Sequence, residues 1–137
     1  MRIAVVYFPA GGGNRLKSLA QAVAAGVEEQ GHTVHLIDAS REHDKKLTMY
    51  EYLCIGTEPV SFLSGKVSEN IQRYLSSSGV VAGKRCFAFV AKRGLATGRC
   101  LSRLMSRMEG EGMFLKYSEV LSSPEQAKEI SKRLNIK

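Results

Sequence analysis

The amino-acid sequence predicts an α/β fold of three layers, in which helices cover both faces of a doubly wound, five-stranded parallel sheet. Five short runs rich in β-branched and aromatic residues alternate with four segments of helical period. The first run, residues 3–8, is apolar throughout, as is typical of a strand buried on both sides. A length of 137 residues suits one compact core, so we expect residues 1–137 to form a single domain.

The first half of the chain alternates strand, helix and strand. After the glycine-rich turn that follows the first strand, apolar residues recur at three- and four-residue steps from Leu16 to Val27. Gly31 is well placed to end this helix. Residues 34–37 are the second strand. Residues 38–50 are charged and poor in apolar side chains, so we expect a loop or a short, weak helix there.

The second half continues the alternation, with strands expected at residues 52–55, 86–90 and 113–117. The helix after the third strand has on its apolar face Val67, Ile71, Tyr74 and Leu75. Thr97 is placed to cap the next helix, whose apolar residues are Leu101, Leu104, Met105 and Met108. The segment Ser123-Pro124-Glu125-Gln126 resembles a capping box, and it opens a last helix whose inward residues are Ala127, Ile130 and Leu134.

Composition and net charge restrict the classes of function and of partner that we expect for this chain. A net charge of +7 favours anionic partners such as phosphate-bearing small molecules and acidic proteins. Since no nucleic-acid motif or aromatic-rich basic stripe accompanies the charge, we do not expect a nucleic-acid partner. No stretch approaches the ~20 apolar residues of a membrane helix, and no signal peptide is recognisable, so we expect a cytoplasmic protein without a membrane partner. The cysteines, at positions 54, 86 and 100, are irregularly spaced and are expected to be buried.

The glycine-rich loop after the first strand is the leading candidate for a binding site. Ligands of open α/β sheets bind beyond the carboxyl ends of the strands. Consecutive glycines let backbone N–H groups converge, and the following helix N-terminus adds partial positive charge. We therefore expect a phosphate to be held by Ala10, Gly11, Gly12, Gly13, Asn14 and Arg15. The alternative is that the glycines only form a tight turn, since neither a P-loop nor a G-x-G-x-x-G spacing is present.

Two further loops are expected at the same edge of the sheet. In the loop after the third strand Pro59 stiffens the backbone, and Phe62 either offers a flat apolar face to a ligand or anchors in the core. The loop after the fourth strand begins with two cations, which make the site electropositive. The candidate binding residues of these loops are Thr57, Glu58, Pro59, Val60, Phe62, Lys92, Arg93 and Gly94.

With these loops the chain resembles the flavodoxin-like family over nearly its whole length. Gly13-Asn14 match the Gly-Asn of the family's phosphate loop, and residues 56–59 resemble the loop that approaches the flavin ring. The resemblance implies strand order 2-1-3-4-5 and FMN as cofactor, with the phosphate on residues 10–15 and the ring between residues 57–62 and 92–98. It also implies electron transfer or flavin- or quinone-type reduction, and the net positive charge makes an acidic redox protein a candidate partner.

Departures from the family pattern leave a second hypothesis open. The phosphate loop has Ala10, Gly11, Gly12 and Arg15 where the family usually supplies Ser/Thr hydroxyls, although a guanidinium pairs well with phosphate. The loop after the fourth strand offers Leu95 where a Tyr or Trp would stack on the ring. The alternative is a module of this fold that has lost flavin and binds another phosphate-bearing ligand or an acidic protein.

Other functions known for this architecture lack their residues. A response-regulator receiver needs an acidic cluster after the first strand, where Pro9-Ala10 stand, and a low-molecular-weight phosphatase needs a Cys in the first loop. The three histidines, at positions 32, 35 and 43, are scattered without partners at ligand spacing, so we expect no metal site. We also expect no catalytic side chain, because a bound flavin would carry the redox chemistry.

Overall fold

The computed structural model describes residues 1–11 and 13–136, and there it has the predicted alternation of strands and helices. The strands are β1 (Arg2–Phe8), β2 (Thr33–Asp38), β3 (Tyr52–Thr57), β4 (Arg85–Ala91) and β5 (Phe114–Leu121). The helices are α1 (Arg15–Glu29), α2 (Asn70–Ser77), α3 (Thr97–Gly110) and α4 (Pro124–Lys132). All strand pairs are parallel, in the order β2-β1-β3-β4-β5. The predicted fold class and strand order are confirmed.

The sheet separates two apolar cores. On one face Ala4 and Val6 belong to the core with residues of α2 and α3, and on the other face Ile3 and Val5 belong to the core with residues of α1 and α4. Successive side chains of a strand point to opposite faces, so a strand between two cores must be apolar at every position. This is why residues 3–8 show no alternation.

Helices α1 and α4 lie in close contact. A Cβ built on Gly26 of α1 would come 1.8 Å from the Ser131 hydroxyl of α4, so the approach requires glycine. The Gln30 side chain donates to the backbone carbonyls of Ser131 and Leu134, at 2.8 and 3.1 Å. These contacts join the first helix of the fold to the last.

The predicted start of α4 is confirmed, because the Ser123 hydroxyl accepts from the backbone N–H of Gln126 at 3.2 Å. The prediction that Thr97 caps α3 is wrong. Thr97 is the first helical residue, and its hydroxyl accepts from the N–H of Arg93 at 3.0 Å and donates to the carbonyl of Arg93 at 2.9 Å. The Thr97 hydroxyl therefore bonds to the backbone of the preceding loop instead of capping the helix.

Three other predictions have clear outcomes. Asp38 ends β2, and residues 39–50 form turns and irregular backbone without a helix. Val67 precedes α2 instead of lying on it. All three cysteines are buried with free thiols, as predicted. No helix among residues 1–11 and 13–136 combines the length and apolar character needed to cross a membrane.

Candidate functional site

The glycine loop joins β1 to α1 at the carboxyl edge of the sheet. Gly11 and Gly13 have φ of +88° and +75°, in the left-handed region that favours glycine. A Cβ built on either glycine meets no described atom within 4 Å, so this backbone faces open space. Gly12, also predicted to bind phosphate, lies outside the described residues.

One amide of the predicted phosphate cradle already binds an anion. Glu58 directly follows β3, its side chain is buried, and its Oε2 accepts from the backbone N–H of Ala10 at 2.9 Å. The carboxylate is therefore held at the mouth of the glycine loop. The amide of Ala10 is oriented toward an anion, but that anion belongs to the same chain.

The polar side chains at the start of α1 do not converge on the glycine loop. The Arg15 Nη2 donates to the carbonyl of Ser122 at 2.9 Å, which directs the guanidinium toward the connection between β5 and α4. Asn14 is exposed at the N-cap position and makes no side-chain capping bond with the part of the chain that the structure describes. Phosphate binding would therefore depend on backbone amides.

The loops after β3 and β4 are fastened together. Arg93 Nη1 donates to the carbonyl of Pro59 at 3.1 Å, and the N–H of Leu95 donates to the carbonyl of Phe62 at 3.2 Å. Gly94 has φ +70°, and a Cβ built there would lie 1.9 Å from the Phe62 carbonyl oxygen. Close approach of the two loops therefore requires glycine at this position.

These loops carry exposed apolar side chains, which we call the apolar patch: Val60, Phe62, Leu63 and Leu95. Phe62 is 59% exposed and Leu95 is 83% exposed, so Phe62 is not a core anchor. Lys92 is exposed and Arg93 is partly buried on the same loop as Leu95. Apolar surface rimmed by charge is typical of a binding surface.

A cavity of about 400 Å³ lies between the glycine loop and the start of α2. Its lining residues are Ala10, Val60, Lys66, Val67, Ser68, Glu69 and Asn70. Ala10 and Val60 were predicted site residues, whereas residues 66–70 were missed, because the apolar period suggested a helix already at Val67. Thr57 is fully buried and its hydroxyl donates to the Phe8 carbonyl at 2.9 Å, so it joins β3 to β1 just below the loops.

Solved structures with the same architecture include several flavodoxins. Oxidised flavodoxin 1 from Bacillus cereus superposes with a TM-score of 0.75 at 13% identity, covering 98% of this chain and all of that one. A flavodoxin from the domain Archaea gives a TM-score of 0.72 at 20% identity, covering 99% of this chain and 94% of that one. The chain has the flavodoxin-like fold.

A flavone reductase shares the flavodoxin-like fold with a TM-score of 0.70 at 11% identity, covering 96% of this chain and 61% of that one. No protein-family model and no curated protein matches the sequence. Among residues 1–11 and 13–136 no group of three or more His, Cys, Asp or Glu side chains is placed to hold a metal ion.

Residues of this flavodoxin-like chain fit FMN in two respects and oppose it in one. The open glycine loop at the helix N-terminus suits a phosphate, and the apolar patch suits the face of a flat ring. The buried carboxylate of Glu58 places negative charge where the phosphate would add more.

Proposed function

We propose that the chain binds FMN at the carboxyl edge of its sheet and acts in electron transfer or in flavin- or quinone-type reduction. The observation that best supports this proposal is that the glycine loop and the apolar patch lie next to each other. Ala10 of the loop and Val60 of the patch line the same cavity. A phosphate on the loop and a ring against the patch would use both at once.

Within this proposal, FMN supplies the redox chemistry and the chain binds and orients it. Backbone amides of residues 10–15 hold the phosphate, while Phe62 and Leu95 shield the ring from water. Lys92 and Arg93 place positive charge beside the patch, which favours negative charge on a ring held there. The net charge of +7 would attract an acidic redox partner.

The test is a titration of the purified protein with FMN and, in parallel, with riboflavin, which lacks the phosphate. Saturable quenching of flavin fluorescence is expected with FMN. A hydrogen bond to a charged group contributes roughly 1.5–3 kcal/mol, and about 1.4 kcal/mol is a factor of ten, so FMN should bind at least about tenfold more tightly than riboflavin. Equal affinities would contradict a phosphate site in the glycine loop, and absence of binding by both would contradict the proposal.

The second candidate is a module that has lost flavin and binds another phosphate-bearing ligand or an acidic protein. The exposed Leu95 favours it, because an aliphatic side chain stands where the resemblance implies a Tyr or Trp stacked on the flavin ring. Protein that binds pyrophosphate but does not quench FMN would support this candidate.

A further inference from the structure

A second cavity, of about 480 Å³, lies near the amino ends of the strands, at the opposite end of the sheet from the glycine loop. Its lining residues are Tyr52, Lys116, Tyr117, Glu129, Ile130, Arg133, Leu134 and Asn135. The volume is within the range of small-molecule sites, and the proposed FMN function uses none of these residues.

One of the lining residues, Tyr52, has an unsatisfied hydroxyl. Tyr52 is the first residue of β3 and is fully buried. Its hydroxyl has no hydrogen-bond partner within residues 1–11 and 13–136, and no other buried side-chain oxygen or nitrogen of these residues lacks one. Buried tyrosine hydroxyls normally find a partner, because leaving one unpaired costs free energy. A polar group of a ligand bound in the cavity would be the missing hydrogen-bond partner.

A β-bulge in β5 shapes one side wall of this cavity. Cys86 pairs with Leu115 and Phe87 pairs with Tyr117, so Lys116 is an extra residue in the ladder. A β-bulge of this kind re-aims side chains and is common beside functional sites. Leu115 packs against the α2–α3 core, and without the bulge Tyr117, two residues later, would face the same way.

Because of the bulge, Tyr117 instead stacks on Phe87 of the α1–α4 core, with ring centroids 5.8 Å apart and an interplanar angle of 17°. The ring is still about half exposed, and it lines the cavity beside Lys116. Tyr117 thus gives the cavity a flat aromatic wall, and Lys116 gives it a cation.

The rim of the cavity is net positive. Arg133 lies 3.7 Å from the carboxylate of Glu129, which Lys132 also approaches to 3.4 Å. Lys116 has no ion pair with the described part of the chain, and its Nζ lies 5.3 Å from the centroid of the Phe114 ring, a contact that does not neutralise its charge. We call Tyr52 the floor of the cavity. The walls between the rim and this floor are apolar and are formed by Ile130 and the buried Leu134.

We propose that this cavity binds a flat aromatic carboxylate that carries a second polar group. The carboxylate pairs with Lys116 and Arg133 at the rim, the ring lies against Tyr117, and the second polar group bonds to the Tyr52 hydroxyl at the floor. The site is independent of the proposed FMN site, from which the whole length of the sheet separates it.

The probe is 6-hydroxy-2-naphthoate, a fluorescent aromatic acid with a hydroxyl far from its carboxylate. Saturable one-to-one binding to the full chain is expected, and saturating FMN should not change the affinity. Absence of saturable binding, or displacement of the probe by FMN, would overturn the proposal.

The floor contact is tested with Tyr52→Phe. The variant should bind 6-hydroxy-2-naphthoate about tenfold more weakly, yet bind 2-naphthoate, which lacks the hydroxyl, as well as the unchanged protein does. Its thermal midpoint should be equal or higher, because only an unpartnered hydroxyl is removed. Unchanged affinity for the hydroxylated probe would overturn the floor contact.

The rim contact is tested with Lys116→Gln, for which a loss of about tenfold in affinity is expected for both naphthoates. The matched control is Lys128→Gln, since Lys128 lies on α4 but pairs with Glu29 at 3.1 Å, outside the cavity lining. Equal effects of the two substitutions would show attraction by net charge alone and would overturn the rim contact.

Discussion

The carboxylate of Glu58 and the backbone N–H of Ala10 are joined by a hydrogen bond of 2.9 Å. Glu58 is the first residue after β3, and Ala10 is the second residue after β1. The bond therefore connects two loops of the candidate site. An FMN phosphate on the glycine loop would have to share or replace this carboxylate. We therefore expect the bond to lower the affinity of the loop for anions.

Substituting Glu58 by Gln should raise the affinity for FMN about tenfold. The amide oxygen can still accept from Ala10, but the negative charge is gone. Two like charges roughly 8 Å apart repel by about 2 kcal/mol at an effective dielectric constant of 20, which exceeds the ~1.4 kcal/mol of one decade. The measurement is FMN fluorescence quenching at low ionic strength.

The matched control is Glu51→Gln, because Glu51 Oε1 accepts from the backbone N–H of Arg2 at 3.1 Å, at the other end of β1. This variant should leave FMN affinity unchanged. Weaker FMN binding by the Glu58 variant would mean that the carboxylate supports the site instead of opposing it.

Substituting Phe62 by Ala should weaken FMN binding about three- to tenfold, because aromatic contacts contribute roughly 0.5–1.5 kcal/mol beyond burial. Phe114→Ala is the control, since Phe114 is 58% exposed but lies at the start of β5, away from the loops. The two affinities are compared by the same titration. If both variants bind alike, the apolar patch does not hold the ring.

Substituting Gly94 by Ala should destabilise the chain by more than about 2 kcal/mol. Left-handed backbone costs a non-glycine residue roughly 1–2 kcal/mol, and the added Cβ also collides with the Phe62 carbonyl oxygen. Gly83→Ala separates the two effects, because Gly83 has φ +79° but a Cβ there meets no described atom within 4 Å. Urea unfolding measures both, and equal losses would exclude the collision.

Alkaline pH should destabilise the folded chain through its cysteines. Burial raises the pKa of the Cys86 thiol to about 12 and that of the Cys100 thiol to about 11, from an ordinary 9.0. Above pH 9 the unfolded chain releases these protons while the folded chain keeps them. The stabilisation is therefore complete below pH 9 and is lost as pH rises through 11 to 12.

Urea unfolding at pH 8, 9, 10 and 11 should show a falling free energy of unfolding from pH 9 upward, with a smaller fall in Cys100→Ala. Buried tyrosines with raised pKa values, such as Tyr74, add to the loss above pH 10. At pH 8 a thiol reagent should label the cysteines only after unfolding. Rapid labelling of the folded protein would contradict the burial of the thiols.

The fold was predictable because its signals are local. The unbroken apolar run of β1, the three- and four-residue steps of α1 and the capping box at Ser123 each depend on neighbouring residues, and each is confirmed. Thr97 failed as a cap because its hydroxyl bonds to Arg93, in a loop whose path the sequence does not determine.

The site was predictable only as a set of loops. The sequence places residues 9–15, 57–62 and 92–94 after strand ends, but not the contacts between them. Glu58 is buried and bonded to Ala10, and the Phe62 side chain is exposed while its carbonyl packs against Gly94, and both contacts join residues far apart in the sequence. The cavity beside β5 depends on a bulge at Lys116, which shifts the face of every later residue in that strand.

The contact of α1 with α4 also constrains biosynthesis. The ribosome makes α4 only after α1 and the five strands, so a nascent chain that has completed β5 still leaves one side of α1 unshielded. Gly26 and Gln30 meet their partners only once α4 has been made. Until then an apolar face of α1 stays exposed, and exposed apolar surface makes incompletely folded chains prone to aggregation.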